Sequence, residues 1–161
     1  MAENNFYLSQ RLGMVLVKKG LKLAVAESCT GGGFAHQLTA VPDCSAWFER
    51  GFVTYSNAAK VELLDVSPDT LEKHGAVSLE TAEEMAKGVI KHSHADISLS
   101  VTGIAGPSGG SPEKPVGLVY FGLADRSGIC ENKQACLTSG RKQIRYNAIT
   151  IALHWLLTYL D

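Results

Sequence analysis

The chain has 161 residues, 45% of them hydrophobic and 19% charged, which is typical of one globular domain spanning residues 1–161. Fifteen basic and sixteen acidic residues give a formal net charge of −1, without the large basic excess of a nucleic-acid-binding protein. Its apolar runs are too short to span a membrane, no apolar signal segment opens it, and its four cysteines form no C-x-x-C pair. We therefore expect a soluble, cytoplasmic protein with reduced thiols that binds neither nucleic acid nor membrane. Whether it forms a homo-oligomer is left open by these features.

The pattern of apolar residues, glycines and prolines predicts the helices and strands in chain order. Apolar residues at helical spacing predict a helix over 7–19, which ends at Gly20, and the run 22–27 predicts a strand. Thr30 is placed to cap a helix that continues to about Thr39 and ends before Pro42. The later patterns predict a strand over 50–56, a helix over 57–64, a short helix after Pro68, a helix over 79–92, strands over 96–102, 116–124 and 129–137, and a final helix over 141–159.

Helices alternate with strands early in the chain, and three strands follow one another later. Because the strands read as apolar on both sides, we expect helices to cover both faces of the sheet. The predicted fold class is α/β, a three-layer α/β/α domain with a mixed β-sheet. The loop 103–115, rich in glycine and proline, joins two of the late strands and is typical of a segment that approaches a ligand closely.

Three glycines, Gly31 to Gly33, follow Ser28, Cys29 and Thr30 at the end of the first strand. Each glycine weakens the start of a helix by roughly 1 kcal/mol relative to alanine, so something must offset that cost. Bare amides at a helix N-terminus suit a phosphate, a carboxylate or a developing oxyanion. The turn has neither a P-loop nor a dinucleotide-binding spacing, and tight strand-to-helix packing is the structural alternative.

Ser28 is the first candidate nucleophile, because it lies at a strand-to-helix turn where a side chain can project above the sheet edge. Its hydroxyl needs a base to take its proton. None of the histidines has the sequence neighbours of a catalytic triad; they are His36, His74, His92, His94 and His154. Cys29 is the rival nucleophile, although as the immediate neighbour of Ser28 it is expected to pack in the core.

Lys60 is the other candidate base. At the ordinary lysine pKa of about 10.4, roughly one lysine in a few thousand is neutral at pH 7, so burial beside the serine would have to lower its pKa. Taken alone, Lys60 is more typical of a surface lysine on a helix than of a catalytic base.

Several ordered motifs together resemble the nicotinamide-nucleotide amidase family, also called the CinA C-terminal-domain family. They are AESCTGG (26–32), WFERGFVTYSNAAK (47–60), GAVS (75–78) and SVTGIAGPSGGSPEKPVGLVYF (100–121). The resemblance extends from about Leu8 to the final helix. It implies the hydrolysis of nicotinamide mononucleotide to nicotinate mononucleotide and ammonia, in pyridine-nucleotide salvage, without a redox cofactor and without a required metal.

The resemblance also implies roles for particular residues. Ser28, Lys60 and Tyr55 correspond to the proposed catalytic set. The substrate-binding positions that it implies are Thr30, Gly31, Gly32, Thr102, Gly103 and Arg145. Arg141 lies four residues before Arg145, and a guanidinium there could hold the nucleotide phosphate. One departure from the family pattern is Gly140, where an acidic residue is usual.

Alternatives stay open at this point. Tyr55 could be a core tyrosine, Thr102 could simply end a strand, and Arg145 could be a solvated helix residue. A second hypothesis for the whole chain is a catalytically inactive module that binds or senses pyridine nucleotides through the same glycine loops. A third, a metal-dependent hydrolase, is disfavoured because no His, Asp and Glu residues show the spacing of metal ligands.

Overall fold

A computed structural model describes residues 4–161 and contains six α-helices and one five-stranded sheet within that range. The helices are α1 (Asn5–Lys19), α2 (Gly33–Thr39), α3 (Asn57–Leu64), α4 (Pro68–His74), α5 (Leu79–Lys91) and α6 (Arg141–Leu160), with a short 3-10 helix at Cys44–Ala46. The strands are β1 (Leu23–Glu27), β2 (Phe48–Val53), β3 (Ile97–Gly103), β4 (Leu118–Asp125) and β5 (Cys130–Cys136).

The sheet has the strand order β2-β1-β3-β4-β5. Strand β1 runs parallel to both β2 and β3, whereas β4 is antiparallel to β3 and to β5. Helices α1, α2 and α6 pack on one face, and α3, α4 and α5 pack on the other. The predicted mixed sheet in a three-layer α/β/α domain is therefore confirmed.

The two faces of the sheet differ in chemistry. The face under α1, α2 and α6 holds the larger apolar core, in which Leu23 and Val25 of β1 are fully buried. On the other face, Ser98 Oγ donates to the Ala86 carbonyl of α5 at 2.8 Å, and a side chain at Gly122 would overlap α5 backbone. Hydroxyls and a glycine thus let the backbone of α5 contact β3 and β4 directly.

Two expectations about the strands are wrong. The strands are not all apolar on both sides, because the edge strand β5 exposes most of its residues and the hydroxyls of β3 face α5. The second strand ends at Val53 and not at residue 56. It ends there because Ser56 begins the next helix, where its hydroxyl accepts the Ala59 amide at 3.0 Å.

The N-terminus of α2 also differs from the prediction. The helix begins at Gly33 after Gly32, and Thr30 does not cap it. Gly31 (φ 57°) and Gly32 (φ 91°) both occupy the left-handed region, so the chain makes an extra turn before the helix starts. The Glu27 carboxylate takes the capping role instead, accepting the Phe34 amide at 2.6 Å and the Ala35 amide at 3.2 Å. The Thr30 hydroxyl is buried without a partner among the described residues.

No helix within residues 4–161 has the length and apolar character needed to cross a membrane.

Candidate active site

The candidate site lies where the three parallel strands end. In the sheet register, Glu27 at the end of β1 pairs with Val53 of β2 and Val101 of β3, so all three strands finish at one edge. Ligands of open α/β sheets bind in crevices outside such carboxyl ends. Ser28 is the first residue beyond β1, and its amide donates to the Val101 carbonyl at 2.9 Å.

A pocket of about 200 Å³ opens at this edge. Its lining comes from the turn after β1, the start of α3, the segment between α4 and α5, the end of β3 and the first residue of α6. The lining residues are Ser28, Cys29, Tyr55, Lys60, Ala76, Val77, Thr102, Gly103, Ala105 and Arg141. A larger cavity of about 460 Å³ lies between α1 and residues 41–47, but it contains no serine, cysteine, lysine or histidine. The smaller pocket is therefore the candidate for chemistry.

Ser28 and Lys60 meet in this pocket. Lys60 Nζ donates to Ser28 Oγ at 3.1 Å, to the Thr54 carbonyl at 2.8 Å and to the Tyr55 carbonyl at 3.2 Å. The Lys60 side chain is fully buried, and none of the ion pairs among residues 4–161 includes it. Three acceptors suit an ammonium, and they equally suit a neutral amine that donates to two carbonyls and accepts the serine proton.

Burial lowers the pKa of Lys60 below its ordinary value, since a charged ammonium is desolvated there, while the nearby Cys29 acts in the opposite direction. The surrounding carbonyls are neutral dipoles and not carboxylates, so they offset only part of the lost hydration. A larger fraction of Lys60 is consequently neutral near pH 7 than for an exposed lysine, which is the state that a general base requires.

Cys29 is placed poorly for nucleophilic attack. Its thiol is buried, and burial raises its pKa to about 11. The thiol therefore stays protonated near neutrality, and the thiolate is the reactive form of cysteine. Of the two candidate nucleophiles, Ser28 alone contacts a base.

Some amides of the glycine turn donate to no other residue within 4–161. The Gly31 and Gly33 amides donate to the carbonyls of Ser28 and Thr30 within the turn. By contrast, none of the hydrogen bonds between residues of the described chain uses the Thr30 or Gly32 amide as its donor. Unpaired amides in the turn that follows a nucleophile are candidates to hold a developing oxyanion.

The remaining predicted site residues lie around the pocket in different ways. Tyr55 is 62% exposed, so it is not a core tyrosine, and its hydroxyl lies 3.4 Å from an Arg141 nitrogen and not beside Lys60 Nζ. Thr102 is fully buried, and its hydroxyl donates to the Ala76 carbonyl at 2.7 Å. Gly103 lines the pocket and leaves no room for a side chain against Leu118 and Val119.

The two arginines of α6 have different neighbours. Arg141 lines the pocket and donates to the Gly106 carbonyl at 2.8 Å. Arg145 lies beyond the pocket lining, donates to the Thr30 carbonyl at 2.8 Å, and has a buried Nε without a partner among residues 4–161. Arg141 thus lines the pocket, while Arg145 contacts the backbone of the glycine turn.

Glu27 was not among the predicted site residues, although it stands in the AESCTGG motif. The sequence did contain a signal for a role of this residue, because a glutamate stands at the end of a predicted strand and directly before a candidate nucleophile. Ala76 and Val77 also line the pocket, and apart from the GAVS motif nothing in the sequence indicated this. No three His, Cys, Asp or Glu side chains within 4–161 are close enough together to hold a metal ion, and none of the five histidines lines the pocket.

Fold and site together define a class of protein: a three-layer α/β domain whose carboxyl edge joins a serine hydroxyl to a buried lysine amine. The family model of the CinA C-terminal domain matches residues 5–160, and the chain belongs to that family.

Individual relatives agree with this assignment. The chain is 49% identical over 154 residues to "Nicotinamide-nucleotide amidohydrolase PncC" of Enterobacter agglomerans, covering 95% of this chain and 94% of that protein. It is 46% identical to the protein of the same name from Escherichia coli K12, covering 92% and 90%. The crystal structure of the competence/damage inducible protein CihA from Agrobacterium tumefaciens superposes with a TM-score of 0.95 at 41% identity, covering all of both chains.

Some relatives are much longer. The chain is 48% identical to a "CinA-like protein" of Geobacter sp. strain M21 over 99% of its own length, but it spans only 38% of that protein.

Proposed function

We propose that this chain is a nicotinamide-nucleotide amidohydrolase, which converts nicotinamide mononucleotide and water into nicotinate mononucleotide and ammonia. The observation that carries the proposal is the 3.1 Å contact between Lys60 Nζ and Ser28 Oγ in a pocket of about 200 Å³. The names of the two amidohydrolase relatives, which match over nearly their whole lengths, support the choice of substrate. Its place in pyridine-nucleotide salvage and its location in the cytoplasm belong to the same proposal.

The first half of the proposed reaction acylates the serine. Neutral Lys60 takes the hydroxyl proton as Ser28 Oγ bonds to the carboxamide carbon, and the carbonyl electron pair moves onto oxygen. The Thr30 and Gly32 amides are the proposed donors to that oxyanion. When the intermediate collapses, the carbon–nitrogen bond breaks, and Lys60 returns its proton to the departing nitrogen, which leaves as ammonia.

The second half releases the acid. A water molecule attacks the acyl carbon, Lys60 takes its proton, and the bond to Ser28 Oγ breaks as the serine recovers a proton. The positive charge of the pyridinium ring makes the attached carbonyl carbon more electrophilic in both halves, first in the carboxamide and then in the serine ester. The proposed reaction therefore uses Ser28 as nucleophile, Lys60 as base and acid, backbone amides as oxyanion donors, and water.

The substrate-binding residues frame this chemistry. We propose that Tyr55 acts from the pocket mouth, orienting the substrate together with Arg141 and holding Lys60 through its carbonyl. Thr102 and Gly103 form the floor beside the carboxamide, while Gly31 and Gly32 shape the turn. Arg141 and Arg145 are the two candidate partners of the phosphate, because a single guanidinium can bind two phosphate oxygens at once.

The test is ammonia release from nicotinamide mononucleotide, compared with nicotinamide riboside and NAD, each with and without a chelator. We expect release from the mononucleotide that exceeds release from the other two and is insensitive to the chelator. Tight binding of the mononucleotide without any ammonia would favour the inactive sensing module. Loss of activity on chelation, with recovery on adding a metal, would favour a metal-dependent hydrolase.

A further inference from the structure

Glu27 is a fully buried carboxylate directly before Ser28. Its two oxygens accept the amides of Phe34 and Ala35, and no ion pair among residues 4–161 includes it. Burying a carboxylate without a counter-ion is costly even when hydrogen bonds satisfy it. A serine, threonine, aspartate or asparagine at the cap position would stabilise the helix without that burial. Capping alone therefore does not account for a glutamate at this position.

The side chain and the backbone of Glu27 hold different parts of the site. The carboxylate ties the first turn of α2 back to the end of β1, which closes the Ser28–Gly33 turn between two fixed points. The Glu27 carbonyl accepts the Thr54 amide at 2.8 Å. Thr54 in turn offers its own carbonyl to Lys60 Nζ at 2.8 Å. Glu27 is thus linked to the nucleophile by one covalent bond and to the base through Thr54.

We propose that Glu27 is a positioning residue for the amidase reaction, an inference that rests on the function proposed above. Its carboxylate joins the end of β1 to the first turn of α2 in place of a local helix cap. This link fixes the positions of Ser28 Oγ and of the unpaired turn amides relative to Lys60. Small misplacements of reacting groups are expensive in rate, so the loss of this link lowers kcat more than it weakens substrate binding.

Glu84 provides a matched control. Its carboxylate accepts the Ser67 amide at 2.7 Å, and Ser67 is the residue that precedes helix α4. Helices α2 and α4 have seven residues each, and both glutamates support the start of their helix from outside it. Glu27, however, directly precedes Ser28, whereas neither Glu84 nor its chain neighbours line the Ser28 pocket. Glu27→Gln and Glu84→Gln therefore make the same chemical change at two helix ends, of which only one adjoins Ser28.

The experiment measures kcat and KM for nicotinamide mononucleotide, thermal melting, and amide hydrogen exchange for the parent and both variants. We expect both variants to melt at lower temperature. Only Glu27→Gln should lower kcat, by about 10- to 100-fold, with KM nearly unchanged. Only Glu27→Gln should speed exchange across residues 28–35. An unchanged kcat in folded Glu27→Gln, or equal kcat losses in the two variants, would overturn the proposal.

Two further arms keep the test decisive. If Glu27→Gln does not fold, Glu27→Asp keeps the charge but shortens the side chain by one methylene, and a folded aspartate variant with parental kcat would also overturn the proposal. If the parent releases no ammonia from any carboxamide nucleotide, the proposed function has failed. Amide exchange across 28–35 then decides the Glu27 link by itself, and unchanged exchange in Glu27→Gln would refute it.

Discussion

Lys60 Nζ lies 3.1 Å from Ser28 Oγ, although the two residues belong to different elements separated by the whole of α2 and β2. The contact depends on the end of β2. There the Thr54 and Tyr55 carbonyls turn toward Lys60, one turn into α3, and accept two of its hydrogen bonds. The third hydrogen bond of Lys60 Nζ is the one to Ser28 Oγ. A neutral Lys60 in this setting has its lone pair available to the hydroxyl proton.

The nucleophile is tested by comparing adjacent substitutions. Ser28→Ala removes the hydroxyl and keeps the turn, so ammonia release should fall by several orders of magnitude while folding and mononucleotide binding persist. Cys29→Ala removes a buried, protonated thiol and should retain most activity. Rates at saturating substrate, with melting curves as controls, decide between them. A well-folded Ser28→Ala enzyme with near-parental turnover, beside an inactive Cys29→Ala enzyme, would make the thiol the nucleophile.

The pH dependence of the rate reports on Lys60. Burial lowers the pKa of Lys60, and only its neutral form accepts a proton, so kcat/KM should rise with pH through a limb centred below 10.5. Lys60→Arg keeps a positive charge that does not titrate in this range and should be nearly inactive at every pH. The measurement is the kcat/KM profile of both proteins. Substantial activity in the arginine variant would remove Lys60 from the role of base.

Stability should depend on pH through the same lysine. Its folded-state pKa lies below its unfolded value, so the unfolded chain binds more protons between the two values and stability rises with pH in that window. Cys29 and Tyr159 act in the opposite direction, because burial raises their pKa values to about 11 and about 12. Cys29 and Tyr159 are present in both the parent and Lys60→Met, so their contributions to the pH dependence of stability largely cancel in the difference between the two proteins. The parent should gain stability relative to the variant from pH 7 to 10 in urea unfolding, and parallel curves would contradict this.

Thr30 offers a test that separates capping from another role. Its buried hydroxyl has no partner among residues 4–161, and such a group costs about 1–3 kcal/mol. Thr30→Val keeps the shape and removes the hydroxyl, so we expect a gain in stability of about 1 kcal/mol. A helix cap would instead cost about 1 kcal/mol on removal. Urea unfolding decides the sign, and a clear loss of stability would mean that the hydroxyl has a partner in solution.

The sequence predicted the features of the site that are local in the chain. The strand, the glycine turn and Ser28 are neighbours, so the strand-to-helix position of the serine followed from pattern alone. Lys60 was a candidate base by residue type, and the motif resemblance paired it with Ser28. Their contact needed the parallel pairing of β1 with β2. The layered fold was predictable because hydrophobic periodicity marked nearly every helix and strand.

The errors arose where a distant group replaced a local one. Thr30 satisfied the sequence rule for a helix cap, but two left-handed glycines moved the helix start away from it. The Glu27 carboxylate then reached the Phe34 amide seven residues along the chain, a span that cap patterns do not include. The serines of β3 read as strand residues without indicating that one of them bonds α5 backbone.

The motif resemblance named Arg145 as the substrate-binding arginine, but residues four apart lie on the same face of a helix, so the sequence alone does not separate it from Arg141. The structure gives them different neighbours: Arg141 lines the pocket beside the Tyr55 hydroxyl, whereas Arg145 donates to the Thr30 carbonyl. A phosphate at the pocket mouth would meet Arg141 first. We therefore expect Arg141 to contribute more than Arg145 to the preference for the mononucleotide over the riboside, which lacks the phosphate.

Arg141→Ala should raise KM for nicotinamide mononucleotide about tenfold or more, in line with the loss of a charge-assisted hydrogen bond, and should leave KM for the riboside nearly unchanged. Arg145→Ala should lower kcat for both substrates alike, because it releases the Thr30 carbonyl and loosens the turn that carries Ser28. The ratio of kcat/KM values for the two substrates separates these effects, since a loosened turn cancels in the ratio and a lost phosphate contact does not. If Arg145→Ala abolishes the preference while Arg141→Ala keeps it, the phosphate binds over the glycine turn and not at the mouth of the pocket.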